Sequence, residues 1–200
     1  MPKLIDRDIR RHEIAESVWR IVLRDGVSAV SIRDVATEAG LAVGSVRHVF
    51  STKAELLEYS MALVHERTRE RVEAHFAVKD PRKLADAVLG ELMPLDEQRR
   101  MEMAVNMAVV AESPSDPSLR RVALDAQRGV RDACSAVLTH LQREKLVRAD
   151  ADLAYETERL HALVDGLALH ALTADAKDLR EKAIFGVLRA HLATLEPRRR

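Results

Sequence analysis

Apolar residues recur along this chain with the period of a helix, not of a strand. Between Asp8 and Asp25, Ile14, Val18 and Val22 fall at i, i+4 and i+8, and Ala15, Trp19 and Leu23 form the row beside them. Together they make one wide apolar stripe, the mark of a helix that buries one face. Gly26 then supplies a C-terminal stop. Ser31 suits a helix start, with Asp34 three positions on as a short form of the capping box. Ile32, Val35, Ala36 and Ala39 keep the i, i+3, i+4, i+7 pattern until Gly40. Another short helix is predicted over 43–50. Two short helices across a glycine-containing turn make a helix-turn-helix.

Thr52 caps a predicted long helix over 53–77, with Leu56, Leu57, Met61 and Val64 on its apolar side. Pro81, Pro94, Pro114 and Pro117 punctuate the middle of the chain. They leave helices over 82–92, 97–111 and 117–145, the last opened by Asp116 as cap and Pro117 in the first turn. Two more are predicted over 151–173 and 176–195, and the final Arg198-Arg199-Arg200 reads as a frayed end. The fold class is therefore all-α with about nine helices. An N-terminal three-helix domain with the helix-turn-helix spans 1–53, and a larger helical bundle spans 54–200.

Composition agrees with this. Ala, Leu, Arg and Glu abound and favour helices. Gly (7), Pro (6) and aromatics (3%) are scarce, which argues against a sandwich or a βαβ fold. At 47% hydrophobic, the 200 residues can build a core. The formal net charge is zero, from 32 basic and 32 acidic residues, and residues 1–53 hold nine Lys/Arg against seven Asp/Glu. DNA-binding domains tend to be basic, so charge permits that reading without arguing for it. Cys134, the single cysteine, sits among Ala133, Ser135 and Ala136 and reads as a small buried thiol. The start, Met-Pro-Lys, shows no signal peptide, and the most apolar stretches, 101–111 and 160–174, are too short or interrupted to span a bilayer. A cytoplasmic protein is the expectation. There is no glycine-rich phosphate loop, no metal-ligand spacing and no nucleophile elbow, so neither an enzyme nor a bound metal or cofactor is expected.

The three-helix unit has to bury Val18, Trp19, Val22, Ile32, Val35, Leu41, Val46 and Phe50. With Val46 and Phe50 turned inward, the third helix presents Gly44, Ser45 and His48 outward, with Val43 and Arg47 on its flanks. A face so small can lie in a major groove. Arg47 can donate two hydrogen bonds to guanine O6 and N7, worth about 1–3 kcal/mol of discrimination. Ser45 can meet several base edges. His48, Ser31 and Lys53 are placed to touch phosphates, which orient a protein without reading sequence. Lys53 opposes the dipole at the start of its helix unless a phosphate lies there.

From about Arg10 to Leu57 the chain resembles the DNA-binding domain of TetR-type regulators. The resemblance rests on an amphipathic first helix ending at Gly26, Ser31 as cap, the Val35-Ala36 pair, Ala39-Gly40-Leu41, Gly44, His48, Phe50, Lys53 and Leu56-Leu57. It departs from the family at Ala42, Arg47 and Val49, where many members carry Ser, Tyr or Ser, and Tyr, so no operator sequence carries over. The resemblance implies a homodimeric repressor on a palindromic double-stranded DNA operator, released by a small-molecule effector.

The remaining helices match the family only in number and length. Met93, Met101, Met103 and Met107 place four of the six methionines within 15 residues. Methionine is an adaptable pocket lining, or simply a filler of irregular core. Met103, Asn106, Met107 and Arg128 are the candidate ligand residues; Arg128 also suits an i, i+4 ion pair with Asp132. Leu160, Val164 and Leu167 on the eighth helix, with Ile184, Val187, Leu188 and Leu192 on the ninth, suit either core or a two-fold four-helix interface between copies. His161, Asp165 and His170 resemble a metal cluster only superficially, because spacings of four and five place them on partly different faces. So few aromatics argue against a cage for a quaternary ammonium effector, leaving a medium-sized apolar or amphipathic molecule. Two rival readings stay open: an interaction module whose helix-turn-helix no longer binds DNA, and an activator.

Overall fold

The computed structural model describes residues 2–175 and 181–197, with side chains other than those of residues 2–6 and Ser118. Among the described residues there are nine α-helices and no strand. They are α1 (Pro2–Asp25), α2 (Ile32–Glu38), α3 (Val43–Val49), α4 (Lys53–Ala74), α5 (Pro81–Glu91), α6 (Glu97–Glu112), α7 (Pro117–Arg143), α8 (Leu153–Thr173) and α9 (Glu181–Ala193). A single 3-10 turn, Val27–Ala29, comes after α1.

The helix ends obey the local signals. Ser31 Oγ accepts from the Asp34 amide at 3.2 Å. Asp80 and Asp152 each accept from two amides in the first turns of α5 and α8. Thr52 accepts from the Glu55 amide at 3.1 Å, and Asp96 from that of Arg99 at 2.8 Å. Each such cap satisfies a donor that the helix itself leaves unpaired.

Two boundaries differ from the pattern. The first helix starts at Pro2 instead of Asp8, because nothing between them breaks a helix and proline is well tolerated in a first turn. α4 ends at Ala74, and His75 and Phe76 close tighter bonds to the carbonyls of Val72 and Glu73 ahead of Asp80-Pro81. The segment 176–180, the expected start of the ninth helix, and the arginine tail 198–200 lie outside the described residues.

The chain divides into two compact units, Met1–Arg67 with Ala104–Ala126, and Thr68–Met103 with Gln127–Arg200. The first unit thus takes in more than the 53 residues of the three-helix domain. Leu56, Leu57, Ser60 and Met61 of α4 are buried in it.

The second unit has its own core, including Leu89, Met93, Cys134, Leu138, Leu160, Val164, Ile184 and Leu188. α5 and α9 approach closely at Gly90, where a Cβ would stand 3.1 Å from Phe185 Cζ. Beside this core, Arg71 donates to both Glu91 and Glu102, each at 2.8 Å. Arg100 donates to the carbonyls of Ala171, Leu172 and Ala174, capping the end of α8. Cys134 is fully buried, and burial pushes its thiol up to about 12, so it is no nucleophile at neutral pH.

This core corrects the expected partner-facing row. Leu160, Val164, Ile184 and Leu188 are buried in the chain's own unit and have no surface to offer a second copy. Of the seven, Leu167, Val187 and Leu192 keep exposed area.

α7 ends with a left-handed residue that is not glycine. Lys145 has φ of 60°, while its amide bonds to Gln142 O and the Leu146 amide to Leu141 O. This is a Schellman stop with a side chain where glycine is normally found. Lys145→Gly relieves the left-handed strain at some entropic cost, and should raise stability in chemical unfolding by about 0.5–1 kcal/mol. A loss of stability would contradict this.

Candidate DNA-binding site

The first unit holds a short helix in place by burying a few side chains completely. Ile14, Ala15, Val18, Trp19 and Val22 of α1, Val35 and Ala36 of α2, and Val46 and Phe50 at α3 are buried. Ile32 and Leu41, expected in the same core, are only half-buried. Trp19 donates its indole N–H to Ser60 O at 3.1 Å, tying α1 to α4. Arg20 and Arg24 of α1 both reach Glu38 at the end of α2, at 2.8 and 3.0 Å. These exposed pairs hold the Glu38 carboxyl below its ordinary range. They contribute little stability but fix direction.

The turn between α2 and α3 depends on Gly40. Its φ is +67°, the Leu41 amide bonds to Ala36 O at 2.8 Å, and the Gly40 amide bonds to Thr37 O at 3.1 Å. That stop ends α2 and lets α3 start at Val43 on a new axis.

With Val46 and Phe50 inside, α3 exposes Val43, Gly44, Ser45, Arg47 and His48, as its pattern predicts. A Cβ at Gly44 would meet nothing within 4 Å. The fold therefore does not need glycine there. Among the described residues Arg47 has no hydrogen bond or ion pair, and its guanidinium is free to take a partner.

Two other predicted contacts have work inside the protein. Lys53 donates to Val27 O at 3.1 Å and Ser28 O at 3.3 Å, pinning the start of α4 to the turn after α1. Those carbonyls offset the dipole cost at Lys53 without any phosphate. The Ser31 hydroxyl donates to the Asp34 carboxylate while accepting from its amide. Its proton is thus committed locally.

Two family models match the chain. The one for bacterial regulatory proteins of the tetR family covers residues 19–59, and the one for the C-terminal part of BetI-type transcriptional repressors covers residues 81–196. The chain belongs to the TetR family. It is 36% identical over 197 residues to the HTH-type transcriptional regulator PksA of Bacillus subtilis, covering 98% of this chain and 94% of that one. It is 31% identical over 180 residues to the HTH-type transcriptional regulator BetI of Burkholderia cenocepacia, covering 87% and 88%. Among solved structures, a transcriptional regulator from Rhodococcus sp. Rha1 is 26% identical with a TM-score of 0.76, covering 92% and 95%. A putative transcriptional regulator from Saccharomonospora viridis in complex with choline is 24% identical with a TM-score of 0.77, over the same shares. Members of this family are helix-turn-helix transcriptional regulators and not enzymes, and so is this chain.

In this TetR-family chain the four expected ligand residues do not all fall in one unit. Met103 and Arg128 belong to the second unit, Asn106 and Met107 to the first. Arg128 is exposed on α7, two residues after the buried Ala126. Asn106 Oδ1 is buried and lacks a hydrogen-bond partner among the described residues, the one polar signal in the set. His161 stands 3.3 Å from Asp165, and His170 is exposed. No helix among the described residues is long and apolar enough to cross a membrane. Sequence reasoning passed over Arg11, which lies on the Phe50 and Tyr59 rings.

The open space at Gly44 separates folding from recognition. A helical glycine costs roughly 0.5–1 kcal/mol relative to alanine. Gly44→Ala should therefore leave unfolding stability unchanged or raise it by up to about 0.5 kcal/mol. The same change should weaken DNA binding by an order of magnitude or more in a fluorescence titration. Equal binding by the variant would mean that α3 does not approach DNA at this residue.

Proposed function

We propose that this chain is a ligand-responsive repressor that binds a palindromic operator as a homodimer and leaves it when a small-molecule effector binds. The observation that carries the DNA part is the outer face of α3, with open space at Gly44 and an unpaired Arg47 on a helix whose other side is buried. Arg47 reads a guanine, Ser45 a base edge, and Val43 packs at the flank. His48 takes a phosphate, and Lys53 adds one from the ammonium N–H that Val27 and Ser28 leave over. Ser31 contributes mainly as the cap of α2.

The dimer rests on a different face from the buried row. On α8, Ala162, Leu169 and the half-buried Gly166 and Leu167 are accessible; on α9, Ala183, Gly186, Val187 and Ala190 are exposed, with Leu192 half-buried. Nothing lies within 4 Å of a Cβ at Gly166 or Gly186. Two helices with such small outer residues can pack closely against their copies about a two-fold axis. That axis sets two α3 helices about 34–36 Å apart, facing successive major grooves.

Release is a population shift. The effector binds the form whose recognition helices are wrongly spaced, and DNA weakens the effector by the same factor, a coupling of about 1–3 kcal/mol. Asn106 and Met107 of the first unit are the residues we assign to effector contact, with Asn106 Oδ1 accepting from an effector N–H or O–H. The body of the effector is apolar or amphipathic. Choline belongs to the Saccharomonospora viridis protein. Here Trp19 and Phe50 are buried in the first unit, Tyr59 already carries Arg11, Phe76 and Tyr155 are exposed, and Phe185 packs at Gly90. That distribution does not favour an aromatic cage. The protein acts in the cytoplasm, where its DNA is.

Selection from a pool of random duplexes at about 150 mM salt tests this reading. A palindrome should be recovered, and its recovery should be lost in Arg47→Ala at unchanged thermal stability. No enrichment by a folded dimer would replace the reading with a protein-interaction module.

A further inference from the structure

Arg11 stands on α1, two turns before Trp19. Its guanidinium carbon lies 4.2 Å from the centroid of the Tyr59 ring and 5.5 Å from that of Phe50. The two rings are 5.2 Å apart. His12 also stacks on Tyr59, at 6.3 Å. Arg11 Nε is sealed from solvent and has no hydrogen-bond partner among the described residues.

Several other arginines of the first unit have carboxylate partners. Arg10 is 3.6 Å from Glu13, Arg20 and Arg24 share Glu38, and Arg67 meets Glu16 at 2.6 Å. Among the described residues Arg11 has no hydrogen bond or ion pair. Glu55, which feels its charge, is occupied: its Oε2 accepts from the Ser51 amide and hydroxyl, both at 2.8 Å.

The position of this cation is informative. Phe50 joins the recognition helix, whose last turn carries Arg47 and His48, to the exposed Ser51 and Thr52 that precede α4. The guanidinium thus borders the junction of α3 and α4. Contact with both rings restrains it, so less side-chain freedom remains to be lost when an anion arrives. Planar guanidinium matches phosphate geometry and binds it with two hydrogen bonds.

We propose that Arg11 is a backbone-phosphate contact of the DNA complex, a cation pre-stacked on Tyr59 and Phe50 beside the end of the recognition helix. The proposal rests on the DNA-binding function proposed for α3 and adds a contact from α1, outside the helix-turn-helix pattern.

The salt dependence of binding tests it. Each phosphate contact contributes about 0.9 to the slope of log K against log salt on duplex DNA. The probe is a labelled mixed-sequence duplex of about three helical turns, titrated between about 50 and 200 mM salt. Arg11→Met keeps an apolar stem over the rings and removes the charge, and should flatten the slope by about 0.9 for each bound protomer. Arg11→Lys should keep the wild-type slope. Thermal unfolding checks that each variant is folded, and Arg11→Gln takes the place of the methionine variant if that one is not. A charge-removed variant with the wild-type slope overturns the proposal and leaves Arg11 as a cover for the aromatic pair. Wild-type protein without salt-dependent binding overturns the DNA-binding function itself, and this proposal with it.

Discussion

A helix of seven residues does not hold together in water by itself. α3 exists because Val46 and Phe50, four residues apart, are both taken completely into the core of the first unit. The same burial decides what the helix shows outside. Once those two residues point inward, Val43, Gly44, Ser45, Arg47 and His48 have no other place to go. Folding and recognition are thus two sides of one rotational setting of a single short helix.

Several weaker interactions hold the platform at that setting. The Trp19 indole finds Ser60 O, Glu38 collects Arg20 and Arg24, and Lys53 ties down the turn at Val27 and Ser28. The exposed ion pairs at Glu38 add at most about 1 kcal/mol each. Their value lies in direction, since a recognition helix is useful only when its axis is fixed against α1, α2 and α4. The apolar core supplies the stability, and the polar ties supply the geometry.

Local signals were the legible part of this fold. Ser31, Gly40 and Pro81 mark helix ends by chemistry that acts within a few residues, and the structure uses each of them in that way. The outward face of α3 was legible for the same reason. Lys145 was not, because a left-handed stop without glycine or asparagine leaves no mark in the residue pattern. Nor was the inward face of α8 and α9. Leu160, Val164, Ile184 and Leu188 form stripes that would suit a partner as well as a core, and periodicity alone cannot say whose core a stripe joins. The exposed face instead carries Ala162, Gly166, Gly186, Val187 and Ala190, small residues that hardly register as an apolar stripe. Arg11 stayed hidden because its platform, Tyr59, is 48 positions away along the chain.

In the proposed homodimer, a two-fold axis would turn one short reading helix into a palindrome reader with a fixed half-site spacing. Hydroxyl-radical footprinting of the protein on a selected duplex measures that spacing directly. A two-fold reader built on α3 should leave two protected patches on one face of the DNA, centred about 10 base pairs or a whole multiple of that apart. A single patch, or protection without that spacing, would contradict it.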